Sequence, residues 1–325
     1  MALEDFDTID RKILAHLDVD AWISYSELGK KIRVAKETVK YRINQLQENG
    51  IIKGFYTLIN ISKLGYNIYR LYLELQNTSP TTEKKIIDYL VNSKYVFICY
   101  HINGPFDIAM AIIAKNRWEF ELFWVDLKKN FGQYFSDSHF SMMTYYAEFS
   151  RPYLYDQPVD YQPKRSFTTV EPAKSEKFTD IDLKLLSFIS NNARTSLVSI
   201  ANALNISVVT VKYRMKILGK NNVIVGFRPI LDLQKIGVEY YKVDLWLRKF
   251  DRMGEISRYI LSHSEVAYQD ITLVSGDLEF DIETKNFESF TNIMNSFKEK
   301  FPKDIKNYSY YSLVKNYKTS YAPQF

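Results

Sequence analysis

Thr38-Val39-Lys40-Tyr41-Arg42 occurs twice in the chain, returning as Thr210-Val211-Lys212-Tyr213-Arg214 at an offset of 172 residues. The same offset relates Phe6 to Phe178, Ile9 to Ile181, Asp10 to Asp182 and Leu14 to Leu186. It continues through Leu46 and Leu218 to Gly54-Phe55 and Gly226-Phe227. Solenoid repeats run about 20 to 50 residues, so a period this long is a whole domain pair duplicated.

The residues around the first copy predict three short helices. Asp7-Thr8-Ile9-Asp10 places acids at a helix start, where they suit the dipole, and Ile9, Ile13, Leu14 and Leu17 follow at helical spacing. Ser24-Tyr25-Ser26-Glu27 fits a capping box and opens a second helix through Leu28 and Ile32. A third runs from about Lys36 to Glu48, with Val39, Ile43 and Leu46 inward and Asn49-Gly50 as its stop. Residues 51–61 alternate loosely and predict a short β-ribbon turning at Gly54. Helices of this order with a tight turn before the third, then a ribbon, describe a winged helix-turn-helix, whose third helix enters the major groove.

Charge concentrates on the same segments. Residues 28–53 carry seven cations against Glu37 and Glu48, and residues 200–228 carry five with no acid, so each is as positive as the whole chain at +5. That is the footprint of a phosphate-binding surface. The face opposite Val39, Ile43 and Leu46 offers Lys36, Lys40, Tyr41, Arg42 and Asn44 to phosphates and base edges. The second copy offers Lys212, Tyr213, Arg214 and Lys216. Thr38 and Thr210 suit either a phosphate contact or a backbone bond at a helix start. Val208-Val209 replaces Lys36-Glu37, which suits thymine methyls or a half that no longer reads sequence.

Downstream of each ribbon the order is βαββαβ. Strands are expected at 69–75, 95–102, 106–114 and 140–149, with helices at 80–92 and 117–130, and the second copy repeats the pattern to residue 314. The fold class is therefore α+β, two tandem copies of a winged helix-turn-helix and a ferredoxin-like sandwich, a fold that by itself implies no function. The boundaries are 1–62, 63–150, a linker at 151–177, 178–234 and 235–325. Pro152, Pro158, Pro163 and Pro172 give the linker a semi-extended character without a core of its own. It is long enough for the two sandwiches of one chain to pair as a pseudo-dimer, with the strands at 69–75 and 240–247 as the expected faces.

Helix-turn-helix, ribbon and βαββαβ in this order resemble the leucine-responsive regulator/AsnC (Lrp/AsnC) family of transcription factors. The likeness rests on Ile9-Asp10-Arg11-Lys12-Ile13-Leu14, Leu28-Gly29, Thr38 to Ile43, Gly50-Ile51-Ile52 and Gly104-Pro105-Phe106-Asp107. It implies sequence-specific binding of double-stranded DNA, assembly through the sandwiches into dimers and higher homo-oligomers, and an amino-acid-like effector held near the Gly-x-x-Asp turn. Carried over residue by residue, the effector positions are Gly104 and Asp107, then Gly276 and Glu279, with Glu in place of Asp in the second copy. Family members usually hold one such unit, so this chain resembles a covalently fused dimer.

An enzyme is the competing class. Siroheme decarboxylases resemble the same arrangement, and that likeness implies a basic pocket bearing His and Arg, whereas residues 67–76 contain only Arg70 as a cation. His16, His101, His139 and His263 lie at no metal-ligand spacing to one another or to Cys99, and no nucleophile motif or phosphate loop is visible, so no catalytic residue, metal or cofactor is expected. A single cysteine, an acidic N-terminus and no apolar run of membrane length predict a cytoplasmic protein.

Overall fold

The computed structural model describes residues 5–155 and 166–323. Its first unit contains α1 (Thr8–Val19), α2 (Tyr25–Ile32) and α3 (Lys36–Glu48). Asp7 caps α1 by accepting from the Asp10 N–H, and Ser24 caps α2 by accepting from the Glu27 N–H. Arg33, at φ 60°, takes the left-handed conformation that ends α2 and makes the tight turn. Leu14, Leu17, Leu28, Val39 and Ile43 close the core of the three helices at 0% exposure.

The ribbon differs from the sequence expectation. Residues 52–59 form one continuous strand, β1 (Ile52–Ile59), with Gly54 inside it and no turn. Its partner is the equivalent strand of the other copy. The remaining elements of the first half are β2 (Asn67–Leu75), α4 (Pro80–Asn92), β3 (Val96–Asn103), β4 (Ile108–Ala114), α5 (Arg117–Phe131) and β5 (Phe135–Phe149). After β6 (Ser166–Val170), the second half has α6 (Asp180–Ser190), α7 (Leu197–Leu204), α8 (Val208–Lys220) and β7 (Ile224–Leu231). Then come β8 (Glu239–Leu247), α9 (Met253–Leu261), β9 (Val266–Leu273), β10 (Leu278–Thr284), α10 (Phe287–Lys300) and β11 (Ile305–Thr319).

β1 pairs antiparallel with β7, Phe55 opposite Pro229 and Thr57 opposite Phe227, a register that a two-fold exchange of the copies leaves unchanged. Around it the contacts are reciprocal. The Ala21 N–H donates to the Phe227 carbonyl and the Ala193 N–H to the Phe55 carbonyl, both at 2.9 Å. Trp22 packs on Phe227 with ring centroids 4.8 Å apart, while Arg194, its counterpart at offset 172, lies 4.6 Å over Phe55. The two helix-turn-helix units are therefore stitched into one body.

The sandwiches are joined by the same symmetry. Each copy builds a four-stranded sheet, β5-β2-β4-β3 and β11-β8-β10-β9. The two long strands then cross to the opposite copy. β5 pairs with β2 and then with β9, and β11 pairs with β8 and then with β3. The result is a closed eight-stranded barrel, which leaves neither sandwich with the open edge that would invite pairing with another chain. The hydrogen-bonded edges between the copies are β5/β9 and β11/β3, while the strands at 69–75 and 240–247 turn one face to the shared interior, where Arg70 bonds Glu279 and Tyr72 bonds Tyr311 of the other copy. Those two strands sit mid-sheet. Their Tyr69, Leu71 and Leu73, or Tyr241, Val243 and Leu245, pack in the cores beneath the outer helices.

The segment 151–177 also departs from a coreless linker. Leu154 and Phe167 are fully buried, and β6 adds to β5 with Phe149 opposite Ser166. A Cβ on Gly226 would lie 2.6 Å from the Phe167 ring, so that glycine makes room for it. Pro158 and Pro163 lie outside the described residues. No helix among the described residues is long and apolar enough to cross a membrane.

Candidate nucleic-acid interface

Burial of one face of each third helix decides what the other face presents. In α3, Val39, Ile43 and Leu46 are buried, and Lys36, Glu37, Lys40, Tyr41 and Asn44 stand in solvent. In α8, Val211 and Leu218 are buried, and Lys212, Tyr213 and Lys216 are exposed. Tyr41 and Tyr213 are 62% and 63% exposed, a position no packing requirement explains for a large ring. Val209 is likewise exposed, whereas Val208 packs partly into the second helical core.

The arginines of the repeated motif behave differently. Arg42 Nη1 lies 2.8 Å from Asp7 Oδ2 and 3.2 Å from Asp10 Oδ2, and Arg214 Nη1 lies 3.0 Å from Asp182 Oδ1. Both are half-buried and tie the third helix to the first. Thr210 shares a 2.8 Å hydrogen bond with Ser207, whose hydroxyl also accepts from the Thr210 N–H, so it belongs to the cap of α8. Thr38 is half-buried at the start of α3, after Ala35, which makes no side-chain cap.

A buried ion network fixes the helical body on the barrel. Asp18 of α1 accepts from Arg151 Nη1 at 2.8 Å and from Arg228 Nη2 of β7 at 2.5 Å. Arg228 continues to Glu148 of β5 at 2.9 Å and Arg151 to Glu283 of β10 at 2.7 Å. Burial alone pushes the Asp18 carboxyl up, but the Arg228 and Arg151 guanidiniums outweigh it and hold it below the usual range. The partners are 133 and 210 positions apart, and no local pattern marks them.

The effector positions need correction. β3 to β5 recur as β9 to β11 at an offset of 170, not 172, because the β8–β9 connection is two residues shorter than the β2–β3 connection. Asp107 therefore corresponds to Asp277, not Glu279. The geometry agrees: Asp107 Oδ2 accepts from the Leu75 N–H and Asp277 Oδ2 from the Leu247 N–H, both at 2.7 Å. The acid is kept in both copies, bonded to the end of the neighbouring strand, β2 or β8. Gly104 approaches β11, where a Cβ would lie 2.6 Å from Tyr311 Cβ, and Gly276 approaches β8, with its Cβ position 3.0 Å from Leu245 N. Glu279 lies inside the barrel at 0% exposure, bonded to Arg70 and Thr272.

The barrel interior also holds a cavity of about 210 Å³ to which all eight of its strands contribute, with β1 along one side. Eight tyrosines line it, together with Arg70, Lys242, Glu148 and Asp281. Cys99 is buried as a free thiol, pushed up by burial to about 12. Among the described residues no group of three or more His, Cys, Asp or Glu is placed to hold a metal.

Comparison with known proteins agrees with the helical units. The winged helix-turn-helix DNA-binding family matches residues 6–53 and 178–225. An HTH-type transcriptional regulator of Pyrococcus horikoshii is 34% identical over 119 residues, covering 37% of this chain and 74% of that protein. The transcriptional regulator AzlB of Bacillus subtilis is 34% identical over 123 residues, covering 37% and 77%. The siroheme decarboxylase NirDL matches in structure with a TM-score of 0.66 over 98% of this chain and 94% of that one, at 12% identity, which is a likeness of fold. With the family model matched twice and relatives of this identity and coverage, the chain belongs to the winged helix-turn-helix transcriptional regulators, with the helix-turn-helix unit present twice in one polypeptide.

Proposed function

We propose that the protein is a sequence-specific regulator that binds duplex DNA as a covalent pseudo-dimer. The observation that carries this is the pair of exposed faces, Lys40-Tyr41 on α3 and Lys212-Tyr213 on α8, held in one body by the β1–β7 ribbon. Lys36, Lys40, Asn44, Lys212 and Lys216 make the contacts to phosphates and base edges, with Tyr41 and Tyr213 beside them. Arg42 and Arg214 position the helices from behind. With Asp107 and Asp277 bonded to the ends of β2 and β8, a small effector is better served elsewhere in the barrel.

An enzymatic role fits the interior poorly. A polycarboxylate macrocycle of the siroheme class requires unpaired cations, and both cations of the cavity, Arg70 and Lys242, are already bonded to carboxylates. Selection of binding sites from random duplex DNA tests the regulator function. Enrichment of a defined motif supports it, and absence of any retained duplex at about 50 mM salt, where phosphate contacts are strongest, removes it.

A further inference from the structure

The barrel interior carries an excess of buried acid. Lys242 Nζ lies 2.8 Å from Asp270 Oδ1, 3.3 Å from Glu279 Oε2 and 3.2 Å from Asp281 Oδ1. Arg70 is bonded to the same Asp270 and Glu279. Asp244 stands beside them, its Oδ1 buried with no hydrogen-bond partner. Two cations thus face four carboxylates in a region shut away from water, where uncompensated charge is costly. Part of the relief is protonation, since burial and then Glu279 push Asp244 up to about 6.

The cavity adds a second, independent feature. Tyr146, Tyr240 and Tyr268 form an aromatic wall, with centroids 6.1 Å apart for Tyr146 and Tyr268 and 6.5 Å for Tyr240 and Tyr268. Asp281 borders the same space and accepts from the Tyr240 hydroxyl. Aromatic faces next to a carboxylate attract ammonium groups. Arg70 and Lys242, the cations that line the cavity, are both bonded to carboxylates, so an anion would meet no free cation, while Asp281 and Glu148 line it as acids.

We propose that the barrel cavity is a binding site for a small organic cation, a primary or quaternary amine. At about 210 Å³, it holds on the order of seven water volumes, which suits a compact molecule rather than a drug-sized one. Tyr56, Thr57 and Leu58 of β1 border the cavity, and Tyr321 stacks on Tyr56 with centroids 4.1 Å apart. An occupant therefore touches the ribbon that joins the two helix-turn-helix units. The inference goes beyond the regulator function, and binding is measurable without DNA.

The test is thermal unfolding of the full chain with choline, tyramine or putrescine, against p-cresol and acetate as neutral and anionic controls, at constant ionic strength. At least one amine is expected to raise the midpoint by about 3 °C at saturating concentration, with p-cresol and acetate giving no comparable rise. Asp281→Asn is expected to weaken that amine roughly tenfold, and Ala111→Leu, which fills the cavity wall, to abolish its effect. If Ala111→Leu fails to fold, Asp281→Asn decides. The proposal is overturned if no amine moves the midpoint, if p-cresol or acetate matches the amine, or if the shift persists unchanged in Asp281→Asn.

Discussion

Arg42 on the third helix is paired with Asp10 on the first, Nη1 to Oδ2 at 3.2 Å, and Arg214 repeats the pair with Asp182 at 3.0 Å. The motif that marks the duplication thus contains one charged residue that works inward beside a lysine and a tyrosine that face outward. Arg42→Gln should leave the salt dependence of DNA binding nearly unchanged, because this guanidinium displaces no phosphate counterion. Its cost appears as stability, up to about 1 kcal/mol for a half-exposed pair. A drop of about 0.9 in the slope of log affinity against log salt would instead make Arg42 a phosphate ligand.

Asp18 holds two buried arginines, Arg151 and Arg228, and its replacement leaves both without this partner. Asp18→Asn should cost roughly 3–5 kcal/mol in urea unfolding at neutral pH. The carboxyl's folded pKa lies below its unfolded value of 3.8, so its stabilisation is present above pH 3.8 and lost as pH falls through the folded value. The wild type should therefore lose stability steeply in acid, and Asp18→Asn should lose part of that slope. Equal acid slopes in the two proteins would contradict the assignment.

Asp244 works in the opposite direction. Its folded pKa of about 6 lies above the ordinary 3.8, so its stabilisation is complete below 3.8 and is lost as pH rises through 6. Asp244→Asn, a neutral stand-in for the protonated acid, should be more stable than the wild type at pH 7.5, and the difference should shrink toward pH 5. Melting curves of both proteins across that range check it. A destabilised variant at pH 7.5 would mean that the charged form is the one the barrel holds.

Crossing strands make each half incomplete alone. Fragments 1–160 and 161–325, produced together, should purify as a one-to-one complex through the β1–β7, β5–β9 and β3–β11 pairings. Light scattering gives the mass directly. Two monodisperse monomers that do not associate at tens of micromolar would show that the barrel is not an obligate joint.

The helices and the strand order were readable because capping residues and apolar spacing act locally: Ser24 and the Val39-Ile43-Leu46 stripe appear where the sequence puts them. Strand partners were not. Residues 52–59 have the same alternation whether they fold back on themselves or pair with the other copy, and the Trp22–Phe227 and Arg194–Phe55 contacts that decide it are distant in sequence. The effector positions were misplaced in the second copy because Gly276 happens to lie 172 residues after Gly104, while the true offset there is 170. Asp277 shows this only through its bond to Leu247.

The two reading faces differ, Lys36-Glu37 at the start of α3 and Val208-Val209 at the start of α8. A palindrome gives such a pair no advantage, so sites selected from random DNA should be asymmetric, with two unlike half-sites. Enrichment of perfect inverted repeats would contradict this.

The most direct test of two DNA-binding faces on one body is affinity for a selected duplex as a function of salt, with the intact chain and its lysine variants. With about six phosphate contacts, affinity should fall roughly a thousandfold between 50 and 200 mM salt. Lys40→Ala and Lys212→Ala should each flatten the logarithmic slope by about 0.9, and the double variant by about twice that. A double variant with the slope of the wild type, or a wild type that retains no duplex at the lowest salt, would contradict the account.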